Sequence, residues 1–205
     1  GVLALACPRD KFRILVQHEP MKIDFETRRD AFPAYYANSF SHLESAARSF
    51  RQLIHLLLAN LEGIEEPKIE ARVKKRNECI EKFNLKYRKE IEEKKEDYHI
   101  KDYITDLIGV RVVCYYESEI DKVIDHMKAS FHVNGITNKS AILTAKTDAF
   151  GYKGVHLDLG LNDERKQLDE YRKIKDFVFE VQVRSIVQDA WSVVDHKLKY
   201  KKSIS

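Results

Sequence analysis

From Phe179 to Arg184, FEVQVR, apolar and polar side chains alternate strictly, and Phe177 extends the apolar set. Successive side chains of a strand point to opposite faces, so Phe177, Phe179, Val181 and Val183 share one face and Glu180, Gln182 and Arg184 the other. The pattern predicts a strand that covers a core on one side and holds an acid, an amide and an arginine on the other. Residues 152–160, YKGVHLDLG, repeat it, with Val155, Leu157 and Leu159 on one face and Tyr152, Gly154, His156 and Asp158 opposite. A lone polar residue on a sheet face is ordinarily just solvated. The same pattern on two strands of one sheet would assemble acidic, basic and aromatic groups on one surface. A nucleotide site needs that chemistry: an oxygen ligand for metal, a phosphate clamp and a stacking ring.

The rest of the chain supplies helices for such a sheet. Phe40, Leu43, Ala47, Phe50, Ile54, Leu57 and Leu61 recur at helical spacing and predict a helix over 39–61, with Gly63 as its stop. IEARV, soon after Pro67, reads as a short strand. Residues 76–103 carry Ile80, Phe83, Tyr87 and Ile91 on one side of a charge-laced segment that reads as a single helix. LIGVRVVCYY (107–116) is β-branched and aromatic and reads as a central strand. EIDKVIDHMKASF follows as an amphipathic helix, and SAILTAKT and GVHLDLGLN as strands on either side of DAFGY. NDERKQLDEYRKIKD is a charged excursion, loop or short helix. The last helix, IVQDAWSVVDHKLKYKK, is expected to turn Val187, Ala190, Trp191, Val194 and Leu198 to the core and Asp189, Ser192 and His196 away from it. Helices followed by strands interspersed with helices predict a mixed α/β (α+β) domain with a central mixed sheet flanked by helices.

Bulk properties narrow the function classes. With 205 residues, 43% of them hydrophobic, one domain with a helical arm is expected. The division is 1–20 as an N-terminal extension, with Met21 able to serve as a start, 21–66 as a helical region and 67–202 as the functional domain. A formal charge of +3 fits a phosphate-bearing ligand without requiring nucleic acid. Cys7, Cys79 and Cys114 are odd in number and form no C-x-x-C pair, which argues against disulfides and zinc and for a reducing cytoplasm. The opening apolar run lacks a basic flank and is too short for a bilayer, so neither signal peptide nor membrane partner is expected. No G-x-x-x-x-G-K-[ST] loop, G-x-G-x-x-G turn or Ser-His-Asp elbow is present. Charges nonetheless sit where a polyphosphate could use them. Arg72 and Lys74 alternate with Ala71 and Val73, and Lys82 follows two helical turns later. Asp106 stands at the mouth of the strand that carries Arg111, an arginine that must reach a partner or water.

In this order and spacing, the chain from about Ile69 to Lys201 resembles the RelA/SpoT synthetase family, the enzymes that make guanosine alarmones. RVK with Lys82 is similar to the family's ATP-phosphate motif, DLIGVRVVC to its metal-aspartate strand and GYKGVHLDL to its acceptor-nucleotide segment. FEVQVRSIVQDAWSVVDHKLKYK is similar to its most specific signature. The resemblance implies a nucleotidyltransferase-like fold and a pyrophosphokinase that moves the β,γ-pyrophosphate of ATP to the ribose 3′-hydroxyl of GDP or GTP. Mg²⁺ would be the cofactor, with Mn²⁺ able to substitute. Carried over, Arg72 and Arg111 would hold adenine, with Lys74 and Lys82 on the phosphates. Asp106 and Glu180 would hold the metal, and Glu180 would also take the hydroxyl proton. Tyr152 would stack on the acceptor base, with Lys153, His156 and Gln182 near its ribose or phosphates. Asp189 stands where several relatives carry an asparagine toward the acceptor.

The chain also departs from the pattern. Glu78 replaces a frequent serine four residues after Lys74, and TDAFGY stands for the frequent PKPNGY. The dipeptide His-Asp is absent, so the family's hydrolase domain is not expected. Homo-oligomerisation would run through segments outside this chain. Two other readings stay open: a toxin-type relative making adenosine alarmones or pyrophosphorylating the tRNA 3′ end, and a non-catalytic nucleotide sensor.

Overall fold

The computed structural model describes residues 25–94, 98–138 and 154–202. Its centre is one five-stranded sheet. The strands are β1 (Lys68–Val73), β2 (Ile108–Cys114), β3 (His132–Asn138), β4 (Val155–Gly160) and β5 (Phe179–Ser185), in spatial order β1-β2-β5-β4-β3. β2 and β5 pair in parallel and the other neighbours antiparallel, which makes the sheet mixed.

Alternation decides which face is inside. Ile108, Val110 and Val112 of β2, Leu157 and Leu159 of β4, and Phe179, Val181 and Val183 of β5 are buried together. They pack under α1 (Phe25–Ala59) and α5 (Ile120–Ser130). Phe179 sits at the contact between layers: Phe50 of α1 stacks on it at 4.1 Å between centroids, and Phe131 meets it edge-on at 5.4 Å. Burying one such ring contributes about 1.5–3 kcal/mol. The opposite face carries Arg111, Glu180, Gln182, His156 and Asp158, as the alternation requires.

Four sequence expectations are corrected. The first helix starts well before Ser39, at Phe25, and runs through Pro33. Its early half is held by burial of Phe25, Arg28 and Phe32, and Phe25 lies parallel to Phe83 at 6.1 Å. Gly63 lies beyond the helix end, in a turn with φ 74°, a left-handed conformation that glycine adopts without strain. Second, the charged segment is not one helix. It divides into α2 (Arg76–Lys86), α3 (Arg88–Lys94) and the single turn α4 (Ile100–Tyr103). α2 and α3 meet at Tyr87, which clusters with Phe83 and Tyr103.

Third, β3 was not expected. It is an edge strand containing Asn134 and Gly135, with a register shift between Val133 and Gly135, so its sequence carries little strand signal. The strand expected in SAILTAKT lies outside the described residues. Fourth, the final helix, α7 (Ile186–Lys202), is rotated relative to the expectation. Val187 is 73% exposed, Trp191 40% and Val194 46%, and Ala190 is exposed too, whereas Asp189 and Ser192 are half-buried. Amphipathic spacing defines two faces without saying which one meets the sheet. Here the junction decides: Ser185 N–H donates to Gln188 Oε1 at 3.0 Å, Gln188 N–H donates to Ser185 Oγ at 3.3 Å, and Arg184 bonds Asp189. The side chains of His196 and Leu198 lie outside the description. The charged excursion contains α6 (Asp163–Lys166) and a 3₁₀ turn.

Cys79 and Cys114 are buried thiols, each pushed up to about 12 mainly by burial, and neither is in a disulfide. Among the described residues no helix is long and apolar enough to cross a membrane.

Candidate active site

The polar face of the sheet is built around Glu180, where three arrangements meet. The first is a slot over β1 and β2. Register places Arg72 opposite Gly109 and Glu70 opposite Arg111, and then Gly109 beside Glu180 and Arg111 beside Gln182. A cavity of about 530 Å³ opens here, lined by Arg51, Glu70, Arg72, Gly109, Arg111 and Gln182. A Cβ added at Gly109 would meet nothing within 4 Å, so the missing side chain leaves open space between the two arginines. Arg111 is steadied by Asp189 at 3.4 Å and Glu70 at 3.8 Å. Guanidinium groups flanking an open slot suit a flat heterocycle, on which arginine stacks.

The second arrangement is an ion cluster where the chain enters β2. Asp106 Oδ2 lies 2.7 Å from Lys74 Nζ and Asp106 Oδ1 lies 2.9 Å from Lys82 Nζ, with all three side chains about 15% exposed. Lys74 is placed by the end of β1, whose ladder continues as Lys74 N–H donates to Leu107 O. Lys82 is delivered by α2, which docks through buried Cys79 and Phe83. Burial pushes the Asp106 carboxyl up, but the two lysines more than offset it and hold it below the usual range. Burial works against the Lys82 ammonium in the same way, and Asp106 more than offsets it, holding Lys82 above its ordinary value.

The third arrangement is a row of bonds along β5. Arg184, 2% exposed, donates to Gln182 Oε1 at 2.5 Å. Gln182 Nε2 donates to Glu180 Oε2 at 2.6 Å, and His156 Nδ1 lies 2.9 Å from Glu180 Oε1. Arginine can only donate, so it fixes which way the Gln182 amide faces. That orientation leaves the amide N–H₂ group for the Glu180 carboxylate. Each oxygen of Glu180 therefore has its own partner, and the carboxylate is oriented.

The sequence-predicted residues fall into these groups. Arg72 and Arg111 border the slot, with Asp189 paired to Arg111; Lys74, Lys82 and Asp106 form the cluster; and Glu180, Gln182 and His156 form the row. His156 is only 5% exposed and touches Glu180, so it is an inner support of the carboxylate rather than an outward contact. Tyr152 and Lys153 lie outside the described residues.

Beyond Arg51 and Glu70 of the slot, two further residues were missed as site members. Arg184 orients Gln182 and also bonds Asp189 at 3.3 Å. Asp158 stands directly opposite Glu180. Burial and then the Glu180 charge raise its carboxyl, while Thr105 donates a hydrogen bond to it. Both are signalled by the alternation of their strands.

Among the described residues, no group of three or more His, Cys, Asp or Glu forms a ready-made metal cage. Asp106 and Glu180 still offer hard oxygen donors near the same ends of two neighbouring parallel strands, and the Lys82 ammonium responds to both. That donor set fits magnesium, which commonly takes one or two carboxylates and keeps other positions for water and phosphate.

A region found in RelA / SpoT proteins matches residues 71–205, the stretch that contains every residue of the slot, cluster and row except Arg51, Ile69 and Glu70. The chain belongs to the RelA/SpoT family. The GTP pyrophosphokinase YwaC of Bacillus subtilis (strain 168) is 31% identical over 102 residues, which is 50% of this chain and 45% of that protein. The family chain described here thus spans about half the length of this curated relative. Small alarmone synthetase 2 from Bacillus subtilis shares the fold with a TM-score of 0.60 at 22% identity, over 83% of each chain. Small alarmone synthetase 1 from the same organism does so with a TM-score of 0.56 at 20% identity, over 81% of each chain.

Proposed function

We propose that this chain is an ATP-dependent pyrophosphokinase that transfers the β,γ-pyrophosphate of ATP to the ribose 3′-hydroxyl of GDP or GTP, forming a guanosine alarmone and releasing AMP as the bond between the α-phosphate bridging oxygen and the β-phosphorus breaks. The observation that carries the reading is the doubly supported Glu180 carboxylate, set between a slot for a heterocycle and a cluster for phosphates. Family membership supports it, as does the relation to a protein named GTP pyrophosphokinase. Small alarmone synthetase 1 has been solved with its product pppGpp and with AMPCPP, so the shared fold accommodates both kinds of ligand.

In this mechanism Arg72 and Arg111 clasp the adenine, and Lys74 and Lys82 hold the β- and γ-phosphates. Glu180 accepts the proton of the 3′-hydroxyl, a poor nucleophile that gains from a base within hydrogen-bond reach. Gln182 and His156 keep the Glu180 oxygens aimed, so no reorientation is needed at the moment of attack. Tyr152, with Lys153, holds the acceptor base and phosphates, and Asp189 keeps Arg111 and Arg184 in place from α7. Asp106 and Glu180 would hold magnesium, which when bound would supply charge compensation for the transferred group.

The test is transfer from γ-labelled ATP to GDP, GTP, ATP or tRNA in separate reactions. Label on GDP or GTP is the expected result. Label on tRNA or an adenine nucleotide alone would replace the acceptor assignment with the toxin-type reaction. Nucleotide binding without any labelled product would leave a sensor.

A further inference from the structure

Asp106 is the carboxylate best placed for a metal, yet both its oxygens already face ammonium groups, Lys74 at 2.7 Å and Lys82 at 2.9 Å. All three side chains are largely shielded from water, where opposite charges at such distances attract strongly. A bare divalent cation approaching Asp106 would meet two positive charges and would have to displace them, with only the Glu180 and Asp158 carboxylates near enough to offset the ammonium groups. A polyphosphate changes this, because it offers the lysines a larger negative charge.

We propose that Lys74 and Lys82 act as a removable counter-charge on Asp106, so that the site admits a divalent cation only together with a nucleotide polyphosphate. In the empty protein the lysines neutralise Asp106. When the metal–nucleotide complex arrives, the ammonium groups pass to phosphate oxygens and the carboxylate passes to the metal. The cation and the phosphates thus enter together, and free metal is disfavoured by the surplus positive charge of two lysines on one carboxylate. The inference rests on the pyrophosphokinase reading, since it assigns the lysines a phosphate partner. It assigns the two lysines a second task, selection of the complex over its parts.

The experiment measures Mn²⁺ binding by electron paramagnetic resonance, with and without the non-transferring analogue AMPCPP, and needs no turnover. Wild-type protein should bind Mn²⁺ weakly alone and much more tightly with the analogue. Lys82→Met should bind the analogue more weakly, yet bind Mn²⁺ alone about tenfold or more tighter than wild type, because one opposing charge has gone. Lys74→Met should move both affinities the same way, a second readout if one variant folds poorly by circular dichroism. Adding Asp106→Asn to Lys82→Met should erase the gain, tying it to Asp106. Wild type binding Mn²⁺ equally well with and without analogue, or lysine variants with no gain, would overturn the counter-charge while leaving the pyrophosphokinase reading standing. Wild type that binds no Mn²⁺–AMPCPP at all would overturn that reading, and the inference with it.

Discussion

At the scale of single residues, Glu180 shows how tightly chemistry and hydrogen bonding are coupled. Glu180→Gln keeps size but removes the basic oxygen, and turnover should fall at least about 10²-fold, as for loss of a general base. With Arg184 fixing the Gln182 amide, the new glutamine keeps its oxygen on Gln182 Nε2 and turns its N–H₂ group to His156 Nδ1, which must give up any proton it donates there. A stability loss of about 1–2 kcal/mol should accompany the kinetic one. An active variant in a rapid-quench assay would remove Glu180 from the reaction. Gly109→Val separates the two effects, since nothing lies within 4 Å of the added Cβ. It should leave the melting temperature nearly unchanged and weaken ATP by about tenfold or more through steric filling of the slot. Calorimetry showing wild-type ATP affinity would place the heterocycle elsewhere. Asp106→Asn is not silent in folding, because it strands two shielded lysines, at a cost of roughly 2–4 kcal/mol at neutral pH. The folded carboxyl titrates below its ordinary value. Its stabilisation is therefore present above the usual aspartate range, about 3.9, and is lost as pH falls through the lower folded value. Melting curves of the two proteins should converge in acid, and a gap that stays constant with pH would exclude the ion pairs as its cause.

At the scale of elements, the exposed stripe of α7 makes a direct prediction. Val187→Lys should change stability by less than about 0.5 kcal/mol, as at an ordinary surface site, whereas Phe179→Ala should cost about 3–5 kcal/mol. Chemical denaturation that ranks the two equally would mean α7 packs by its apolar face after all. The comparison also marks where sequence is informative. β4 and β5 were legible because burial on one face forces a period of two, which also exposed Glu180, Gln182 and His156, and β2 by its β-branched, aromatic run. β3 was not, because an edge strand with Asn134 and Gly135 buries too little to impose a pattern. The early half of α1 was hidden by Pro33, whose local cost is outweighed by tertiary contacts of Phe25 and Phe32. The rotation of α7 was hidden because it depends on one junction, Ser185 with Gln188 and Arg184 with Asp189, rather than on the helix's own periodicity. The cluster at Asp106 was legible only in part. Its residues could be named, but their mutual contacts depend on how α2 docks.

For the whole molecule, the strand order β1-β2-β5-β4-β3 has a consequence for how the chain is made. β5 is the last strand in sequence and lies in the middle of the sheet. Until Phe179–Ser185 has left the ribosome, β1–β2 and β3–β4 are two ribbons without the strand that joins their ladders among the described residues, and β2 and β4 each present an unpaired edge. β5 is a keystone: it closes both edges at once, brings Phe179 onto Phe50 and sets Glu180 in its place. A chain ending at residue 178 should therefore lack a cooperative melting transition and aggregate, even though it retains most of the core residues. Adding a peptide of residues 179–202 should restore a measurable transition. If the shortened chain melts sharply on its own, the two ribbons find each other without the keystone, and the arch stands before its last stone is set.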